Sequence, residues 1–287
     1  METKINANQI KLYQLFSVKD ILLSHGFELE KECNLGDTIF GLIDHPEYRD
    51  NEDILFDAFE STEKREALLN TIKNNAFDDK QMVEDKRRLY SNTFEWYVGE
   101  LMVRKFSAFS HSFGAKVKNI IRNSDDEYSG DFDALVVQRN LNLVYFECKT
   151  GGYNSKDIRN ALERGVSLHT EFVVFIIDNR IKENKLISCL KNIQYSLYIG
   201  NPQLGKVRIK EGNAYIYKWH NLYFITALED LEIQIQTILR INDANKMALN
   251  GYMDMSNERM ERLGYETIVI KEYEFIENEK YCDCISQ

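Results

Sequence analysis

Two acidic residues and one lysine lie near the middle of the chain at a spacing that suits a shared cation. Asp133 lies in one short strand-like segment, and Glu147 and Lys149 end the next one. Successive side chains of a strand point to opposite faces, so Glu147 and Lys149 share a face while Cys148 points to the other. A polar turn around Asn140 joins the two segments as a predicted hairpin, which would place Asp133 across from Glu147.

Two carboxylates beside one ammonium group favour a particular chemistry. Oxygen ligands suit Mg²⁺, or Mn²⁺ in its place, and such an ion can bind a scissile phosphate and lower the pKa of an attacking water. Lys149 would orient or deprotonate that water, or offset the charge that develops on phosphorus. The residue types therefore predict hydrolysis of a phosphodiester bond.

The Glu-x-Lys spacing alone is not specific. Residues 2–4, 84–86 and 183–185 match it as well. Only residues 147–149 end an apolar strand, follow a hairpin that carries an aspartate, and precede a helix and a buried strand. The alternative interpretation is a surface salt bridge within the motif, which would contribute less than about 1 kcal/mol. That alternative leaves the neighbouring carboxylates crowded without a counter-ion.

The elements around the motif follow a regular order. The periodicity predicts a helix of about 25 residues that ends at Phe109, strands over 115–121, 131–138 and 143–149, a helix N-capped by Ser155, a buried strand over 172–177, and a helix over 182–198. The core order is therefore helix, strand, strand, strand, helix, strand.

Residues 92–175 resemble the PD-(D/E)xK, or restriction-endonuclease-like, superfamily of nucleases, whose core has the same αβββαβ order. The resemblance implies an α/β fold with a mixed central sheet. It implies Asp133 and Glu147 as metal ligands and Lys149 as the catalytic lysine. It also implies the backbone carbonyl of Cys148 as a further metal ligand.

The string Gly130-Asp131-Phe132-Asp133 departs from the motif that names the superfamily, because no proline precedes either aspartate. It is similar to the Gly-x-x-Asp form of many members, which favours Asp133 as the ligand. Asp131 shares the same face of the strand and stays the alternative.

Many members of the superfamily add a glutamate from the preceding helix. Glu95 and Glu100 lie about 140° apart on a helical wheel, so only one of them can face the site. A glutamate beside an aromatic residue at the start of this helix resembles CRISPR-associated ancillary nucleases, which favours Glu95. Glu100 is the alternative.

The net charge of −10 is unusual for a protein that binds nucleic acid, but basic residues are concentrated around the motif. A basic patch is predicted from the residues Arg104, Lys105, Lys116, Lys118 and Arg122. On the helix after the motif, Lys156, Arg159 and Arg164 are further candidates for contacts with the phosphate backbone. His111 is interpreted as a polar residue of a loop.

Three regions are expected along the chain: a mostly helical 1–77, a nuclease core over 78–200, and an α+β extension over 201–287. The flanks carry a predicted helix over 8–25 with Gly26 as its C-cap, a strand over 37–44, strands over 215–219 and 222–225, a helix that starts near Leu228, and a strand over 266–275. The extension either continues the core sheet or forms a cap of its own.

No apolar run is long enough to span a bilayer, and neither a secretory signal nor a disulfide framework is recognisable, so a cytoplasmic protein is expected. The leading hypothesis is an endonuclease that depends on Mg²⁺ or Mn²⁺, cuts DNA rather than RNA, and serves as a defence or restriction effector. One alternative is an inactive nuclease-like module that binds nucleic acid or acts as a scaffold. Another is an effector that cuts RNA or responds to a second messenger. A homodimer is expected by analogy with enzymes that cut duplexes.

Overall fold

The computed structural model describes residues 16–39, 52–61, 63–64, 80–119, 132–197, 204–209 and 215–249. The helices are α1 (Val18–Ser24), α2 (Glu52–Glu60), α3 (Lys80–Phe106), α4 (Ser155–Ser167), α5 (Glu183–Leu197) and α6 (Leu231–Leu249). The strands are β1 (Phe27–Lys31), β2 (Ser110–Asn119), β3 (Phe132–Val137), β4 (Leu143–Lys149), β5 (Val173–Ile177), β6 (Gly205–Arg208), β7 (Tyr215–Trp219) and β8 (Leu222–Thr226). The predictions for Asp131, Arg122 and the strand over 266–275 lie outside the described residues.

The described strands form one mixed sheet in the order β1-β2-β3-β4-β5-β8-β7-β6. Antiparallel pairs join β1 through β4, and parallel pairs join β4 to β5 and β5 to β8. The edge beyond β8 is antiparallel again. The fold is therefore mixed α/β, and the C-terminal strands continue the central sheet rather than forming a cap.

Helices cover both faces of this sheet. Apolar side chains of α2, α3 and α6 pack on one face, against residues such as Val144 and Phe146 of β4. Those of α1, α4 and α5 pack on the other face, against residues such as Tyr145 of β4 and Phe175 of β5. Every residue of β5 is buried, which is why its sequence is continuously apolar rather than alternating.

Several predicted boundaries need correction. The described part of the N-terminal helix begins only at Val18, because Ser17 is its N-cap and accepts a hydrogen bond from the Asp20 amide. Gly26 does follow this helix with a φ of 86°, as its predicted role requires. Residues 35–37 form a 3₁₀ turn instead of the start of a strand, and β1 was not predicted.

The helix after the motif is capped by a different residue from the one predicted. Asn154, not Ser155, is the N-cap of α4, because its side chain accepts hydrogen bonds from the amides of Lys156 and Asp157. The Asp157 carboxylate accepts a hydrogen bond from the Asn154 amide and completes a capping box. Among the described residues, no helix is both long enough and apolar enough to cross a membrane.

Candidate active site

The ladder between β3 and β4 ends where the candidate site begins. Its last paired residues are Ala134 and Phe146, and the same register continued by one residue places Asp133 opposite Glu147. Residues directly opposite each other in an antiparallel pair share a face of the sheet. Both carboxylates therefore lie on the face of the sheet that carries Tyr145, away from α3. The predicted antiparallel pairing of β3 and β4 is confirmed.

Strand β2 has an irregular residue next to Asp133. The register between β2 and β3 places Gly114 opposite Asp133, and Gly114 has a φ of 53°. This left-handed conformation is one that glycine adopts without a steric cost. A side chain at this position would also collide with the Cys33 sulfur. Glycine at position 114 thus allows this backbone conformation beside the candidate site.

The Glu147 carboxylate is almost fully buried and has partners at both oxygens. Its Oε1 forms an ion pair with the Lys149 ammonium. Its Oε2 accepts a hydrogen bond from the Tyr145 hydroxyl and lies 3.4 Å from Nη1 of Arg164, a residue of α4. The same Arg164 nitrogen lies 3.3 Å from the Tyr145 hydroxyl oxygen. Two cations and one phenol therefore hold this carboxylate.

The Asp133 carboxylate interacts mainly with the backbone of β4. Its Oδ2 accepts a hydrogen bond of 2.7 Å from the amide of Cys148. Burial, and then repulsion from Glu147, raise the pKa of Asp133 to about 8, although Lys149, the Cys148 amide and Arg164 oppose the shift. Two acidic groups that repel each other in a partly buried place are a feature that a bound cation would stabilise.

The Lys149 ammonium supplies a positive charge next to the carboxylates of Asp133 and Glu147. Burial lowers the pKa of Lys149, but the nearby carboxylates of Asp133 and Glu147 outweigh burial, so the pKa is raised overall. The side chain is therefore charged near neutral pH. Of the roles expected for Lys149, this favours the offsetting of negative charge over the deprotonation of water.

The donor atoms fit a divalent cation of the Mg²⁺ type. The Cys148 amide points toward β3, where it meets Asp133, and the carbonyl of a strand residue points to the same side as its amide. The carboxylates of Asp133 and Glu147 together with this carbonyl make a set of oxygen ligands. Among the described residues, no group of three or more His, Cys, Asp or Glu side chains could hold a metal. The candidate ligands among the described residues are therefore these two carboxylates and the carbonyl.

The face of α3 that carries Glu95 packs against the end of β4. Glu95 is buried and, after burial itself and Asp133, contributes to raising the pKa of the Cys148 thiol. One turn earlier on α3, the Ser91 hydroxyl lies 2.8 Å from the hydroxyl of Thr150. Glu95 is thus near the motif, but it does not form a three-acid cluster with the carboxylates on the other face.

Glu100 points elsewhere. Its Oε1 lies 2.9 Å from Nε2 of His111, and its Oε2 accepts a hydrogen bond of 2.6 Å from Arg104. Burial raises the pKa of Glu100, but these two partners outweigh it and lower the pKa overall. The structure therefore favours Glu95 over Glu100 at the site. The interpretation of His111 as a loop residue was wrong, because it lies in β2 and is mostly buried.

The predicted basic patch is not continuous. Arg104 forms ion pairs with Glu52, Asp53 and Glu100, and Lys105 lies within 4 Å of the carboxylates of Glu60 and Glu232. These two residues are therefore neutralised by acidic partners, contrary to the prediction. Lys116 and Lys118 are exposed on β2, where the register places Lys118 opposite Glu28.

The basic residues of α4 have different environments. Lys156 is exposed in the first turn, and Arg159 pairs with Glu163 on the same helix. Arg164 turns inward to Glu147, whereas its predicted contact with a phosphate backbone stays a prediction. Sequence reasoning missed both Arg164 and Tyr145 as partners of the motif. The one available signal was the spacing of Tyr145, which lies two residues before Glu147 on the same strand face.

No family model matches the chain, and no curated protein matches it. Among solved structures, it is similar to protein VC1899 from Vibrio cholerae at 13% identity and a TM-score of 0.41, over 77% of this chain and 60% of that one. It is also similar to Can2 from Sulfobacillus thermosulfidooxidans in complex with cyclic tetra-adenylate, at 14% identity and a TM-score of 0.40, over 79% of this chain and 62% of that one. The chain thus spans about three fifths of the length of these two proteins.

Proposed function

We propose that this protein is a divalent-metal-dependent nuclease of the PD-(D/E)xK type that hydrolyses phosphodiester bonds. The observation that carries the proposal is the meeting of Asp133, Glu147 and Lys149 where β3 and β4 stop pairing. Two carboxylates and one ammonium group on a single face, next to an exposed Gly151-Gly152 loop, are the groups that phosphodiester hydrolysis needs.

Each residue has a distinct proposed role. Asp133, Glu147 and the Cys148 carbonyl would hold Mg²⁺ or Mn²⁺, which when bound supplies a polarised phosphate and a more acidic water. Lys149 stays protonated and offsets negative charge on the phosphate as the transition state forms. Glu95, buried beside the end of β4, would adjust the charge of the site from the α3 side.

The order of elements supports the same assignment. The segment from α3 to β5 runs helix, strand, strand, strand, helix, strand, with an antiparallel hairpin followed by a parallel crossover. This is the order of the restriction-endonuclease-like core, which we assign to residues 78–200. Residues 1–77 and 201–287 then form its extensions. We further propose a cytoplasmic defence effector that acts on DNA, as a homodimer if it cuts both strands.

A second candidate is a nuclease-like module that binds nucleic acid without cutting it. The observation in its favour is that Glu147 already has Lys149, Arg164 and Tyr145 as partners. A carboxylate with two cationic partners is stable without a metal ion. In this candidate the charged cluster has only a structural role.

The test is cleavage of supercoiled plasmid DNA and of single-stranded RNA with Mg²⁺, with Mn²⁺ and with EDTA. Calorimetry of Mn²⁺ binding is done in parallel on the wild type and on Glu147→Gln. We expect the wild type to bind Mn²⁺ and to cut DNA, and the variant to lose cutting. A folded wild type that binds no metal and cuts neither nucleic acid under any of these conditions would rule out the nuclease and leave the binding module.

A further inference from the structure

Two residues outside the Glu-x-Lys motif contact one carboxylate oxygen of Glu147. Arg164 reaches it from α4, and Tyr145 donates to it from the same strand. The Arg164 guanidinium also lies 5.6 Å from the centre of the Phe132 ring, next to Asp133 in sequence. Arg164 is only 16% exposed at its side chain. The guanidinium is thus confined between α4 and the β3–β4 hairpin.

We infer that Arg164 and Tyr145 are positioning residues, which hold Oε2 of Glu147 and leave Oε1, beside the Lys149 ammonium, as the oxygen that would face a metal ion. The inference rests on the proposed nuclease function. It goes further by assigning to α4 a part in the site that the Glu-x-Lys motif does not contain. It also predicts that Arg164 weakens metal binding while it supports turnover.

The first effect of these contacts is to restrict rotation of the Glu147 carboxylate. A glutamate side chain without such partners can turn and offer either oxygen, or both, to a cation. Mg²⁺ requires nearly ideal octahedral geometry, so a ligand that turns freely holds the ion in unproductive arrangements. Groups that bind the far side of a metal ligand fix its orientation, and their removal typically costs about 10–100-fold in affinity or activity.

The second effect comes from the positive charge of Arg164, which should lower the affinity of the site for a divalent ion. Arg164 places a positive charge 3.4 Å from the Glu147 carboxylate that would hold the ion. Its removal makes the cluster more negative by one charge, so the cluster attracts a divalent ion more strongly. Loss of Arg164 should thus tighten metal binding even as it slows cleavage.

Three substitutions separate these effects. Arg164→Gln removes the positive charge and the contacts of the guanidinium with Glu147 and Tyr145. Arg164→Lys keeps the charge, and Tyr145→Phe removes only the hydroxyl donor. Lys206→Gln is the matched control, since Lys206 is similarly buried and pairs with Glu183, but lies on β6 outside the proposed site. Each protein is examined by thermal unfolding, by Mn²⁺ calorimetry, and by plasmid cleavage at saturating Mn²⁺.

We expect Arg164→Gln to bind Mn²⁺ about 10-fold more tightly and to cut about 10–100-fold more slowly. Arg164→Lys should return the affinity to the wild-type value. Tyr145→Phe should slow cleavage with little change in affinity, and Lys206→Gln should change neither. A purely structural role of Arg164 would lower the unfolding temperature and weaken Mn²⁺ binding together.

The outcomes are distinguishable from failure of the proposed function. If the wild type binds Mn²⁺ and cuts DNA, but Arg164→Gln binds Mn²⁺ no more tightly than the wild type, the positioning role is wrong and the nuclease remains. If the wild type neither binds nor cuts, the nuclease proposal and this inference fail together.

Discussion

Two clusters of charged side chains differ in how their acids are compensated. The strand cluster contains Asp133, Glu147, Lys149 and Arg164, on β3, β4 and α4. The helix cluster contains Glu100, Arg104, His111 and Asp53, where α2, α3 and β2 meet. Both combine carboxylates with basic partners, although Asp53 of the helix cluster is exposed.

The pKa values of Asp133 and Glu100, one carboxylate from each cluster, shift in opposite directions. In the strand cluster, burial and Glu147 raise the pKa of Asp133 to about 8. In the helix cluster, the hydrogen bonds from His111 and Arg104 outweigh burial and lower the pKa of Glu100. A carboxylate with a raised pKa is poised for a cation or a reaction, whereas one with a lowered pKa is already satisfied. We therefore place function in the first cluster and stability in the second.

The largest effects on cleavage are expected when single side chains of the strand cluster are removed. Lys149→Ala deletes the charge proposed to act at the transition state but keeps both proposed metal ligands, so cleavage should fall about 100-fold or more. Asp133→Ala should abolish cleavage and also weaken Mn²⁺ binding, because it removes an oxygen ligand. Plasmid nicking and Mn²⁺ calorimetry measure the two properties. Equal loss of metal binding in both variants would contradict the division of roles.

A second experiment acts on the strand cluster through the backbone. Gly114→Ala introduces a side chain at a positive φ and against the Cys33 sulfur, which should cost about 2–4 kcal/mol of stability. The control is Gly205→Ala, because a methyl group there makes only ordinary contacts of 3.5–3.6 Å with Lys218. Denaturant unfolding compares the two. Equal stability of both variants would mean that neither the positive φ nor the Cys33 sulfur restricts the residue at position 114.

The helix cluster should respond in stability rather than in turnover. Glu100→Gln removes a charged partner of Arg104 and His111 and should cost about 1–3 kcal/mol, while plasmid cleavage stays near the wild-type rate. Denaturant unfolding at pH 7 and plasmid nicking measure these two effects. A loss of cleavage as large as that of Lys149→Ala would place Glu100 in the active site after all.

The same variant has a predicted pH dependence. Because the pKa of Glu100 is lowered from its ordinary value of 4.5, the unfolded chain binds its proton first as pH falls. The stability from this carboxylate is present above pH 4.5 and is lost as pH drops through the lower, folded-state pKa. The stability difference between wild type and Glu100→Gln should therefore shrink below pH 4.5. A difference that stays constant down to pH 3 would contradict the shift.

The smallest effect is expected for the exposed lysines of β2. Replacing Lys116 and Lys118 together with glutamine should weaken nucleic-acid binding for all sequences and flatten its salt dependence, by about one unit of slope per lost phosphate contact. Fluorescence anisotropy at several salt concentrations measures both quantities. The matched control is Lys105→Gln, because Lys105 lies beside Glu60 and Glu232 instead. Unchanged slopes would show that β2 does not face the nucleic acid.

Local patterns of residues were sufficient to predict most of the core elements. The bounds of β4 agree at both ends, and the long helix α3 and the buried strand β5 lie within a few residues of their predictions. Such patterns report which residues of one segment face a core, because burial repeats with the period of the helix or strand. Strand β1 was missed, since its sequence Phe27-Glu28-Leu29-Glu30-Lys31 is short and mostly exposed.

Contacts between elements were decided only by the tertiary structure. The sequence restricted the α3 glutamate to Glu95 or Glu100, but the rotation of α3 against the sheet placed Glu95 at β4 and Glu100 beside His111. It also could not show that Arg164 turns inward, because Arg164 and Glu147 are 17 positions apart on different elements. Periodicity describes one element at a time, whereas a site depends on how several elements are oriented toward each other.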